Sequence, residues 1–206
     1  AWVGLAISFF IGRSRIGGLD KKLQFLVELL NGLADDLHPK APVRFDFDMS
    51  AYDAAGKLLR TARSATGNVK QYYSDKWLRL QVVLADGSEV EIVRQQGIKT
   101  KKGAKAYEKR RLFLTVTPNP RRYWPMRDAA MESRLRWALH SAITQGFHNP
   151  PEQVQVHLKS QDGDIAMRIM QEDAEILPAE LGVLLWCVMA HLRERVGQPQ
   201  AAQLAR

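Results

Sequence analysis

Apolar and polar residues alternate with a period of two over several stretches, the signature of strands with one buried face. The clearest runs from Trp77 to Arg94. Leu78, Leu80, Val82 and Leu84 fall on one face and Trp77, Arg79, Gln81 and Val83 on the other. After Ala85-Asp86-Gly87, Val90 and Ile92 alternate with Glu89 and Glu91. A two-residue loop at Asp86-Gly87 would set Leu84 against Glu89 and Val82 against Glu91. A three-residue loop, Ala85-Asp86-Gly87, pairs Val82 with Val90 and Leu80 with Ile92. Only the second register keeps one face apolar, because a slip of one residue sends every side chain to the wrong side. The pattern therefore predicts a type I turn with Gly87 left-handed in the bulge position.

The same period marks Val43–Met49, with Val43, Phe45, Phe47 and Met49 expected inward and Arg44, Asp46 and Asp48 outward. Lys57–Arg63 reads as a strand, Ser64–Asn68 as a loop, and Leu112–Val116 as a strand ended by Thr117-Pro-Asn-Pro120. Further on, Val154, Val156 and Leu158 match Ile169, Met167 and Ile165 across a four-residue loop, Ser160–Gly163.

Helical spacing appears in three places. Leu19, Leu23, Leu26, Val27, Leu30, Leu33 and Leu37 form a stripe stopped by His38-Pro39. This stripe covers a core, or else makes a seam between copies in a homo-oligomer. Pro125 opens a second helix, whose face is Met131, Leu135, Ala138, Leu139, Ala142 and Ile143 and whose stop is Gly146. Pro178 starts the third, which is apolar nearly all round and expected to be the most buried. The expected class is α+β: an N-terminal helix, an antiparallel β-meander with a long basic loop, then a helix–strand–strand–helix unit. The division is 1–18 for an anchor and joint, 19–120 for the helix and meander, 121–198 for the helix–hairpin–helix unit, and 199–206 for a tail.

Charge changes this picture in one place. The formal net charge is +8 over 206 residues. Arg94, Lys99, Lys101, Lys102, Lys105, Lys109, Arg110 and Arg111 face Glu108 alone, and Arg121 and Arg122 follow. One basic run thus holds nearly the whole excess, which points to an anionic surface or polymer. Its Lys99–Lys105 portion has little to pack, so a protruding loop is expected.

The chain opens with an apolar run that includes Trp2, Val3, Leu5, Ile7, Phe9, Phe10 and Ile11, followed by Arg13 and Arg15. A bilayer span takes about 20 apolar residues, so this run reads as the end of a longer membrane helix. Its basic flank would set the remaining chain on the cytoplasmic face. The alternative is a strand or helix of the globular core.

Catalytic chemistry finds little support. The sequence contains no GxSxG, P-loop, dinucleotide fingerprint or CxxC, and the five histidines lack metal-ligand spacing. No cofactor is expected. Cys187 reads as a small buried hydrophobe. Asp46 and Asp48, about 7 Å apart on one strand face, raise a metal-dependent hydrolase as an alternative. A second alternative is nucleic-acid binding, with Tyr107, Tyr123 and Trp124 stacking bases beside the basic run. The leading expectation is a non-enzymatic, membrane-tethered module that docks to a protein partner or an anionic lipid surface.

Overall fold

The computed structural model describes residues 19–65, 67–123, 129–147, 153–158, 165–172 and 177–196. The apolar run expected to anchor the chain, Trp2 to Ile11, lies outside them, as does Trp124. The fold is α+β, with seven strands in one sheet and helices against one side of it. The strands are β1 (Arg44–Phe47), β2 (Leu58–Arg63), β3 (Val69–Val83), β4 (Glu89–Lys101), β5 (Ala104–Thr117), β6 (Gln153–Leu158) and β7 (Ile165–Glu172). The helices are α1 (Leu19–Leu33), α2 (Ala129–Gly146) and α3 (Pro178–Val196). The sheet order is β1-β3-β4-β5-β7-β6, with β2 also paired to β3. All pairings are antiparallel.

The registers follow the apolar alternation. Val82 lies opposite Val90, and Leu80 opposite Ile92. The rows continue to Val116 and Leu114 in β5, then to Ile165 and Met167 in β7. The pairing of β6 with β7 is also as expected: Val154 with Ile169, Val156 with Met167, Leu158 with Ile165. Because β7 pairs with β5, the boundary expected at 120/121 falls between two parts of one sheet.

Several expectations need correction. A bulge between Lys76 and Leu78 turns Trp77 to the covered side, so Trp77 and Leu78 are both buried. The α-helix ends at Leu33; a 3-10 turn follows at Ala34–Asp36, and Leu37 bridges to Leu84. Phe45 and Met49 are not in the core but 49% and 61% exposed. Phe45 does share the covered face, opposite Leu80. β1 is the edge strand, so Phe45 has a neighbouring strand on one side alone, while Val43 and Phe47 on either side of it pack against the core. α3 is not buried all round either, since Trp186 and Val183 stand in solvent.

The helices sit where their stripes demand. Phe25, Leu26, Leu29, Leu30 and Leu33 of α1, Leu135, Leu139 and Ile143 of α2, and Leu181, Leu184, Leu185 and Val188 of α3 close over the rows. Burying each such side chain contributes about 1.5–3 kcal/mol. Trp77 anchors one end of this core, meeting Phe25 and Phe47 edge-on at 5.7 and 6.0 Å.

The β3–β4 turn is fixed by chemistry that pattern alone does not reveal. Gly87 has φ +84° and donates its N–H to the Leu84 carbonyl. Asp86 accepts from the Ser88 N–H and the Tyr123 hydroxyl, while the Asn119 amide donates to the Asp86 carbonyl. Burial raises the Asp86 carboxyl, but the Tyr123 and Ser88 hydrogen bonds outweigh it and hold the group below the ordinary carboxylate range. A Cβ built on Gly87 would meet Asn119 Nδ2 at 2.5 Å. Gly87→Ala should therefore lower the unfolding free energy by about 1 kcal/mol or more, read as a shift in the urea midpoint. Gly56→Ala, where a Cβ would meet nothing within 4 Å, serves as the control and should leave that midpoint nearly unchanged.

Candidate functional site

The basic run is not a loop. Residues 94–101 continue β4, and residues 104–111 belong to β5. Lys101 pairs with Ala104 across a two-residue turn whose members, Lys102 and Gly103, have φ of 53° and 79°. Two successive positive-φ residues match the tight turn whose twist suits a β-hairpin. Glycine takes the second position without strain.

The hairpin stays a strand because the covered side continues under it in altered form. Ile98, Thr100, Tyr73 and Glu108 are all buried there. Tyr52 packs edge-on against Tyr73 at 5.9 Å. Burial raises the Glu108 carboxyl, yet hydrogen bonds from Lys105 and Arg110 outweigh it and hold the group below the usual range. Asp75, fully buried, accepts from Lys57 Nζ at 2.7 Å and Lys22 Nζ at 3.0 Å. Ion pairs replace apolar side chains at this end of the sheet.

The opposite face of the same rows is open and cationic. Arg60, Tyr72, Lys99 and Tyr107 lie side by side across four strands. The row is about 14 Å wide at the usual strand spacing. The Arg60 guanidinium stands 4.3 Å from the Tyr72 ring centre and Lys99 Nζ 5.9 Å from it. In the next row Lys70 lies directly opposite Lys101. Lys76, Lys109 and Arg111 follow on this side by register. Among the described side chains of this end of the open face there is no carboxylate, and β7 sets Glu172 opposite Lys109.

The structure therefore gathers Lys99, Lys101, Lys102, Lys109 and Arg111 and separates the other expected members. Arg94 is 3% exposed, its guanidinium 4.4 Å from the Phe25 ring centre. It shares the strand parity of Val90 and Ile92, and that parity was the signal for its burial. Lys105 and Arg110 are engaged with Glu108. Arg121 and Arg122 lie past the far end of β5, beside the Asp86 turn. Arg60 and Lys70 join the surface from β2 and β3, far from the basic run in sequence, while Arg63, opposite Val69, falls on the covered side by register.

The rival sites do not assemble. Tyr123 is buried against Asp86, which removes it as a stacking platform. Asp46 lies opposite Arg79 on the open face, and Asp48 is past the end of β1. Asp48 accepts from the Ser50 hydroxyl and N–H and lies 3.0 Å from Lys57 Nζ. No group of three or more His, Cys, Asp or Glu suited to a metal occurs among the described residues. Cys187 is buried, and burial pushes its thiol above the ordinary range, away from the nucleophilic thiolate. No described helix is long and apolar enough to cross a membrane. Neither the family models, the curated proteins nor the solved structures give a match to this chain.

The hydrogen bonds from Ser50, aided by Lys57, lower the Asp48 carboxyl to about 2. The unfolded value is about 3.9, so ionised Asp48 stabilises the fold above that pH and the contribution vanishes as pH falls toward 2. Urea midpoints measured from pH 5 down to pH 2 should decline over this window. Asp48→Asn should make the decline shallower.

Proposed function

We propose that this chain is a non-enzymatic docking module, tethered to a membrane by the apolar segment before α1, that engages an anionic partner with the basic end of its sheet. One observation carries the reading. Lys70 and Lys101 are directly opposed on a bare strand face, with Lys99, Arg60 and Lys102 close by. Like charges directly opposite one another destabilise a sheet. A fold that keeps such a pair where a neutral residue would serve holds a site that a polyanion relieves. The surface is shallow and rigid, which suits docking better than turnover.

A second reading, single-stranded nucleic acid, draws on the alternation of Tyr72 and Tyr107 with Arg60 and Lys99 in one row. Cations track a phosphate backbone there while aromatic rings take bases.

The docking reading predicts that Lys70, Lys99, Lys101 and Lys102, all changed to Gln, lose association with anionic vesicles and with polyanions alike. Thermal stability should be unchanged or slightly higher, since the like-charge opposition is gone. Wild-type binding should weaken steeply with salt, as counterion release and screening require. The measurement is vesicle cosedimentation together with fluorescence anisotropy on a labelled oligonucleotide at matched ionic strength. Salt-independent binding, or a quadruple variant that binds like the parent, would sink the reading.

A further inference from the structure

Resting on that docking reading, we infer that the partner is the bilayer itself, and that the sheet stands end-on to it. The turns joining β2 to β3 and β4 to β5 would lie at the headgroups, and the Asp86 turn would point away. Three features of the fold converge on this orientation.

The first is the direction in which the chain enters the domain. Lys22 in the second turn of α1 meets Asp75, while Leu37, just beyond the helix, bridges to Leu84. α1 thus runs parallel to β3, with its N-terminus toward the end of the sheet that carries Lys70 and Lys101. Leu19, the first described residue, lies toward that end, so a membrane reached by the chain before it would face the two basic turns.

The second is charge polarity along the strands. Arg60, Arg63, Lys70, Lys99, Lys101 and Lys102 occupy one end. At the other, Asp35, Asp36, Asp86 and Glu89 stand with Arg121 and Arg122, so the charges there are close to balanced. β4 alone spans about 40 Å over its 13 residues. An anionic plane orients such a charge distribution basic end first. Each cation brought near an anionic leaflet multiplies partition about fivefold.

The third is what accompanies the cations. Val69, the first residue of β3, is 41% exposed opposite Arg63, and Ala65, Gly103 and Ala104 are small residues exposed at the two turns. Small and apolar side chains among lysines suit a headgroup layer. A base would need the face of Tyr72 that Arg60 already covers at 4.3 Å.

The test uses the full chain with Ala65→Cys, Ala104→Cys or Ala85→Cys, each carrying an environment-sensitive fluorophore. Cys187 is buried and stays as it is. Vesicles of phosphatidylcholine, with or without phosphatidylserine, contain a headgroup-quenching lipid. On phosphatidylserine vesicles the labels at 65 and 104 should be quenched several-fold more than the label at 85. Without phosphatidylserine the difference should vanish. Separately, Arg63→Gln with Lys70→Gln should lower partition onto phosphatidylserine vesicles about twenty-five-fold, although neither residue belongs to the basic run. Equal quenching at all three positions, or a double variant that partitions normally, overturns the end-on orientation while leaving anion docking intact. Labels at 65 and 104 that respond to a single-stranded oligonucleotide but not to quencher lipid overturn the bilayer in favour of nucleic acid. Loss of salt-sensitive binding to every polyanion removes the docking reading itself.

Discussion

The molecule depends on β4 being hydrogen-bonded on both sides along its whole length. Its 13 residues pair with β3 from Glu89 to Lys101 and with β5 over the same span. That double ladder satisfies the backbone of a segment whose side chains would otherwise argue for solvent. It fixes the spacing of Lys99 and Lys101 against Lys70 and Tyr72, so the cations form a rigid array rather than a mobile tail. A rigid array loses less conformational entropy on binding than a flexible lysine-rich loop would.

The covered face changes character along the strands, and this explains how one sheet serves both core and surface. At the Asp86 end, apolar rows pack under three helices. Past Trp77 the apolar packing gives way to Asp75, bonded to Lys57 and to Lys22 of α1, with Glu108 beyond. Breaking one partner of a buried ion pair typically costs about 3–5 kcal/mol, so the cluster holds α1 in register with the strands. Burial lowers the Lys57 ammonium, but hydrogen bonds to Asp75 and Asp48 outweigh this and keep it raised and charged.

That change of character also decides what could be read from sequence. The registers of the β3–β4 and β6–β7 hairpins were legible because apolar residues recur at every second position. The basic hairpin was not, because its covered side is built from Thr100, Glu108 and the Asp75 cluster, with Ile98 as an apolar mark. Lys102-Gly103 was the residual clue to a tight turn. Phe45 and Met49 misled in the opposite sense: their alternation is real, but β1 is an edge strand that ends at Phe47, and strand periodicity encodes neither fact. The contributions of Arg60 and Lys70 to the surface arise from strand pairing, Arg60 with Tyr72 and Lys70 with Lys101, which periodicity within one segment does not encode.

Amide hydrogen exchange along β4 and β5 tests the central claim most directly. If the basic segment is an integral part of the sheet, the amides of residues 96–100, and those of residues 105–110 that point toward β4 or β7, should be strongly protected, by a margin comparable to Val90–Val93 in β4. Exchange of those residues at the rate of an unstructured peptide, with Val90–Val93 still protected, would contradict it and return the basic run to a solvent-exposed loop.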